Sequence, residues 1–200
     1  TVVDCVTAMQ DAVDIEVTVK CRIGVDDQNP EEVLPEFLAR LGAVGCSRII
    51  IHARKAWLQG LSPKQNREVP PLDYESVYRI KRDFPELEIV VNGGIESLDA
   101  AQMHLEQVDG VMIGRAAYQN PWLLADADRR IFGVANPVQD PSQAVTAMLP
   151  YIASHLEEDG AKLSHVTRHM LGLFNGRPGA RSWRRHLSAF LISLGKLWLK

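Results

Sequence analysis

The chain has 200 residues, a net charge of −3, 46% hydrophobic residues and 24% charged ones, the balance of an ordinary globular protein. No stretch approaches the ~20 uninterrupted apolar residues of a membrane-spanning helix, and the opening residues are not expected to act as a signal peptide. Cys5, Cys21 and Cys46 lack metal-ligand spacing and read as small buried apolar residues in a reducing compartment, so neither a disulfide-stapled module nor a metal site is expected.

In chain order, residues 1–14 carry Val2, Val3, Val6, Met9 and Val13 near helical spacing. Ile15 to Ile23 is a β-branched strand, followed by a polar loop over residues 24–29. Pro30 and Glu31 open a helix to about Val44, with Pro35 as an irregularity in its first turns. Cys46 to Ala53 is a continuous apolar strand, the pattern of a buried parallel sheet. A long loop runs from Arg54 to Leu72, Asp73 caps a helix to about Phe84, and Leu87 to Val91 is a third strand. Ser97 begins the next helix, and Gly110 to Ile113 is a fourth strand.

Strands that alternate with helices imply parallel pairing with right-handed crossovers. Beyond about Ala127 the strand signals stop, and 142–158, 161–174 and 181–199 read as helices, the last two joined by the turn Gly176 to Arg181. The expected organisation is α/β over residues 1–126 and all-α over 127–200. Charge divides along the same line. After Asp159 there is no acidic residue, so the tail is +8 and the rest −11. A basic helical segment on an acidic body points to a polyanion, chiefly nucleic acid.

Two junctions stand out. EIVVNGG and DGVMIGR are strands that stop at glycine before a helix, the pattern of the last two units of a (β/α)8 barrel, whose loops commonly hold a phosphate. Such barrels project reactive groups from strand C-termini. The ends here carry Lys20 and Arg22, His52 and Arg54, Asn92 with Gly93 and Gly94, and Gly114 with Arg115. Glycines let backbone N–H groups approach phosphate oxygens, and a helix N-terminus adds favourable potential. Lys20 can stabilise negative charge on a reduced cofactor, while His52 and Asn92 can position a planar heterocycle. The loop after His52 exceeds an ordinary βα connection and carries Arg54, Lys55, Lys64 and Arg67, so it reads as functional.

VKCRIGVDD, IIHARKAWLQGLSPKQNREVPPLDY, IVVNGGI, DGVMIGRAAYQNPW and HVTRHMLGLFNGRPGARSWRRHLS together resemble the A subfamily of bacterial tRNA-dihydrouridine synthases. The resemblance runs along essentially the whole chain, and the HARKAW loop and the PGAR-x-WRR tail are its most specific parts. It implies the last four strands of an FMN-binding TIM barrel followed by a helical tRNA-binding domain. Lys20, His52, Asn92, Gly93, Gly94, Gly114 and Arg115 are then the implied FMN contacts. Lys64, Arg67, Arg181 and Arg184 are the implied tRNA contacts, with Arg67 near the extruded uracil.

The implied reaction reduces FMN with NADPH, passes hydride to C6 of a uridine at position 20 or 20a of the D-loop, and protonates C5 from a cysteine. A uridine in the stacked tRNA elbow must be extruded first. The family's first four strands and that cysteine have no counterpart here, so the chain is expected to be a C-terminal part, inactive by itself and prone to self-association through open sheet edges. Cys21 adjoins Lys20, but strand neighbours point to opposite faces, so it is not expected to replace the acid. Two other readings compete. One is a non-catalytic tRNA-binding remnant. The other is an FMN barrel acting on a free pyrimidine, which the acid-free basic tail disfavours because a small substrate needs no such surface.

Overall fold

The structure is a computed structural model that describes residues 1–158 and 160–197, with side chains through residue 188. The basic-tail side chains of Lys196 and Lys200 lie outside the described ones. Two compact units are present, Thr1–Gly114 and Arg115–Lys200. The division falls earlier than the 126/127 boundary read from the end of the strand signals, because the short helix that opens at Arg115 groups with the helices that follow it.

The first unit is an α/β fold of α1 (Val2–Ala12), β1 (Val19–Arg22), α2 (Pro30–Ala43), β2 (Arg48–His52), α3 (Tyr74–Asp83), β3 (Glu88–Asn92), α4 (Leu98–Leu105) and β4 (Gly110–Met112). The strands form one parallel sheet in the order β1-β2-β3-β4, the result of successive βα crossovers. Helix starts follow local chemistry. Asn29 accepts from the Glu31 N–H, Asp73 from Ser76 and Ser97 from Ala100, and Pro30 sits where its missing N–H costs nothing. Pro35 is accommodated inside α2, which runs unbroken to Ala43.

One face of the sheet carries Ile49, Ile51, Ile89 and Val91, all fully buried against Leu38 and Leu41 of α2 and Val77 and Ile80 of α3. Each such side chain contributes about 1.5–3 kcal/mol relative to exposure. This core fixes the register, since a one-residue slip would turn four apolar side chains to the other face.

Two expectations are corrected. The strand expected over Ile15 to Ile23 is only Val19–Arg22, whose ladder with β2 runs from Val19–Ile49 to Arg22–His52, and Ile15 stands exposed. The second unit holds α5 (Arg115–Gln119), a 3-10 turn (Pro121–Leu124), a π-helical turn (Asp128–Phe132), α6 (Pro141–Leu156), α7 (Leu163–Thr167) and α8 (Ala180–Leu197). The helix expected over 161–174 is therefore only α7. After it the chain turns by i→i+3 bonds, His169 N–H to Val166, Met170 to Thr167 and Leu173 to Met170. The Trp183 indole donates to the Met170 carbonyl at 2.9 Å, and Gly172 lies so close to Gln119 that a Cβ there would strike the Gln119 carbonyl. Both contacts are long-range and favour the turn over a continued helix.

Candidate functional site

The register aligns Arg22, His52, Asn92 and Met112 across the C-terminal end of the sheet, with Lys20, Ile50, Val90 and Gly110 two residues earlier. Because side chains alternate, both rows share the face opposite the isoleucine core. Lys20, His52 and Asn92, identified separately in the sequence, thus lie on one face. His52 is buried, and Asn92 Nδ2 donates to the Met112 carbonyl at 2.8 Å, tying β3 to β4. Partial burial, then the Arg22 guanidinium, hold Lys20 below the usual lysine range.

Cys21 lies in the row of Ile51, Val91 and Val111 and packs against the core. Burial pushes its thiol up to about 12. The folded value lies above the ordinary 9, so the neutral thiol stabilises the fold fully below pH 9, and that contribution is lost as pH rises through about 12. Cys21→Ala is therefore expected to flatten the alkaline loss of stability in thermal melts run from about pH 8 to about pH 11. An unchanged alkaline slope would remove Cys21 as its cause.

The two glycine motifs differ physically. Gly93 has φ +117°, and a Cβ there would stand 2.6 Å from His52 Cδ2 and 3.1 Å from Leu72 Cδ2. Gly94 has φ +67°, with a Cβ 2.6 Å from Leu72 Cδ1 and 3.1 Å from the Tyr74 hydroxyl. The Tyr74 O–H donates to the Gly93 carbonyl at 2.6 Å. Folding alone thus demands both glycines. Gly114 has no positive φ and nothing within 4 Å of an added Cβ, so folding does not demand it. It is exposed and is followed at once by Arg115, the first residue of α5.

The long loop is fastened. Arg22, whose role the sequence left open, donates through Nη1 to the Lys55 carbonyl at 2.8 Å and the Asn66 carbonyl at 2.9 Å. Asn66 accepts from the Trp57 N–H at 2.8 Å and returns a bond to the Trp57 carbonyl at 2.5 Å. Arg54 Nη1 donates to the Pro70 carbonyl, while its Nε is buried without a hydrogen-bond partner. Burial first, then the neighbouring Arg54 and Arg67, lower the Arg22 pKa, so three cations gather at the base of this loop. Lys64 and Arg67 are exposed around its short 3-10 turn (Gln65–Arg67). Nothing in the residue spacing marks Arg22 or Asn66, because their partners are mostly backbone groups.

In the second unit Arg181 and Arg184 lie in the first turns of α8, both exposed. Among the described residues no cluster of histidine, cysteine and carboxylate side chains could hold a metal ion, and no helix is long and apolar enough to cross a membrane.

Comparison with known proteins adds an independent finding. A family model described as dihydrouridine synthase (Dus) matches residues 1–192. A tRNA-dihydrouridine(20/20a) synthase of Vibrio cholerae is 59% identical over 188 residues, covering 94% of this chain and 57% of the relative. Proteins of the same name from Shewanella oneidensis and Escherichia coli K12 are 58% and 59% identical, with 94% of this chain and 56% and 54% of the relatives covered. The chain spans about half the length of the curated relatives it matches.

Proposed function

The chain belongs to the dihydrouridine synthase family, and from that premise we propose that it carries the FMN-binding and tRNA-binding parts of a cytoplasmic enzyme that reduces uridine to 5,6-dihydrouridine in the tRNA D-loop, at positions 20 and 20a, using NADPH. In this reading the sheet unit supplies the last four strands of a (β/α)8 barrel. Residues 1–126 serve the flavin and the helical residues 127–200 serve tRNA.

The observation that carries the reading is Gly114, a glycine at a strand end that neither backbone conformation nor packing requires. Its missing side chain leaves the backbone N–H groups before α5 open to a phosphate. The polar face suits the rest of the cofactor. Lys20 offers a partly desolvated cation, while His52 and Asn92 are immobilised by burial and by the Met112 carbonyl. Bound FMN would supply the hydride chemistry, and the protein would supply orientation and charge. Gly114 and Arg115 would hold the phosphate, with Gly93 and Gly94 shaping the wall beside His52.

Lys64 and Arg67 on the anchored loop, and Arg181 and Arg184 on α8, would meet the RNA backbone. No catalytic acid is assigned within these residues. Cys21 is on the core face and Cys46 is buried, while Cys5, expected to be buried, is exposed on α1. These 200 residues alone are therefore expected to bind rather than to reduce.

The test uses the full-length protein with unmodified tRNA transcript, FMN and NADPH, and mass spectrometry of the RNA. Gain of two hydrogens on a D-loop uridine is the expected result. Salt-sensitive tRNA binding without flavin retention or product would replace this reading with a non-catalytic tRNA-binding role.

A further inference from the structure

The second unit contains a recess of about 350 Å³ of whose lining only Arg184 belongs to the contacts assigned above. A volume of this order is at the small end of ligand sites. Tyr118 lines it from α5, Arg168, His169, Gly172 and Asn175 from the turns after α7, and Arg184 from α8. Gly172 makes the closure possible, because a side chain there would collide with the Gln119 carbonyl and push the turns off α5.

A short relay orients the polar groups. Arg168 Nε donates to His169 Nε2 at 2.9 Å, and His169 Nδ1 is 2.9 Å from the Tyr118 hydroxyl. An arginine Nε–H can only donate, so His169 Nε2 accepts. The neutral imidazole then carries its proton on Nδ1 and donates to the Tyr118 oxygen. That leaves the O–H of Tyr118 free to donate elsewhere, and the ring is 61% exposed. With Nε engaged, Arg168 keeps its two terminal amino groups as a fork for a second ligand.

Charge points the same way. No carboxylate lines the recess. Two other arginines of this unit are paired, Arg129 with Asp126 and Arg177 with Asp140. Among the described residues, Arg168 and Arg184 have no carboxylate partner. Two exposed guanidinium groups and a free hydroxyl donor around one concavity make a seat for an anion.

We propose that this recess holds one phosphodiester of the bound RNA, gripped by Arg168 and Arg184 and hydrogen-bonded by Tyr118, with His169 as the positioning residue that aims both Arg168 and Tyr118. The proposal rests on the reading that residues 127–200 bind tRNA, and it extends that surface to Tyr118 of α5. It adds a defined contact to the basic side chains already assigned. It also separates a built site from a diffuse basic surface, since Arg185 is equally basic and exposed, adjoins Arg184, and does not line the recess.

The experiment is a salt titration of tRNA affinity with the full chain, read by fluorescence anisotropy, with thermal melts as the folding control. Arg168→Ala is expected to weaken binding about tenfold and to reduce the slope of log K against log salt by about 0.7–0.9. Arg184→Ala should do the same, and the double variant should lose less than the product of the two, because both meet one phosphate. Arg185→Ala should change affinity less than about twofold.

Tyr118→Phe keeps the ring and its packing on His169 and removes only the hydroxyl with its His169 hydrogen bond, and the thermal melt checks the fold. It should weaken binding about threefold with an unchanged salt slope, the mark of a neutral donor. If Arg168→Ala and Tyr118→Phe match Arg185→Ala while the parent binds tRNA normally, the recess is not a phosphate seat and the tRNA reading stands. If the parent shows no salt-sensitive tRNA binding, both fall together.

Discussion

Gly93→Ala lowers the stability of the sheet unit by roughly 2–5 kcal/mol, the sum of a strained backbone and an overpacked contact. The residue holds φ +117°, a conformation L side chains rarely adopt. A methyl group would also stand 2.6 Å from His52 Cδ2 and 2.9 Å from His52 Nε2. His52 cannot retreat easily, because it is buried at the end of a strand paired on both sides. The Gly93 carbonyl is held by the Tyr74 hydroxyl at 2.6 Å, which opposes any backbone shift that would relieve the clash.

Against a total stability of about 5–15 kcal/mol, such a loss is a large fraction. Urea unfolding with an unchanged m-value is the measurement. Gly94→Ala should cost less, since φ +67° is the ordinary left-handed region and its nearest contact is the mobile end of Leu72. Combining Gly93→Ala with His52→Ala separates the causes. The clash disappears and the backbone strain remains, so part of the loss should return. A Gly93→Ala protein within about 0.5 kcal/mol of its parent would show that the strand end adapts freely.

That distinction bears on how far the sequence could be read. The strand-glycine-helix junctions at Gly93 and Gly114 look alike in the sequence, and both suggest a phosphate. Only the structure shows that Gly93 and Gly94 are explained by packing against His52, Leu72 and Tyr74, while Gly114 is not. The elements legible beforehand are those with strong local chemistry. Ile49 to Ile51 form a β-branched run, and Asp73 and Ser97 cap their helices through their own side chains. The convergence of Lys20, His52 and Asn92 on one face followed from period-two alternation in parallel strands.

What was not legible depends on distant partners. β1 is only as long as its ladder with β2, from Val19–Ile49 to Arg22–His52, and the alternation in its own residues does not reveal that length. The end of α7 is set by Gly172 against Gln119 and by Trp183 reaching the Met170 carbonyl. Arg22 clamps the long loop through two backbone carbonyls 33 and 44 residues away, and acceptors of that kind leave no pattern in side-chain types. The Tyr118–His169 pair spans 51 residues with no spacing rule to join them.

Gly114→Val is expected to leave folding stability within about 0.5 kcal/mol of the parent while weakening FMN retention by about 30- to 150-fold. The first half follows from geometry. Nothing lies within 4 Å of a Cβ at this position and φ is not positive, so the Cβ of the new residue meets neither clash nor left-handed strain. It also reduces the freedom of the unfolded chain, which favours the fold slightly.

The second half follows from what a glycine permits. Backbone N–H groups reach phosphate oxygens only where no side chain intervenes, and charged hydrogen bonds of this type are worth about 1.5–3 kcal/mol each. Loss of 2–3 kcal/mol from a crowded phosphate corresponds to the stated range. The flavin band that survives desalting is the readout, in a form of the protein whose parent retains it. Gly93→Ala provides the contrast, since its loss of flavin should accompany a loss of fold. Gly114→Val protein that keeps its flavin would move the phosphate away from this strand end, and the glycine would then lack any reason the structure can supply. A stable, colourless Gly114→Val would instead separate ligand chemistry from folding at a junction where the sequence shows both alike.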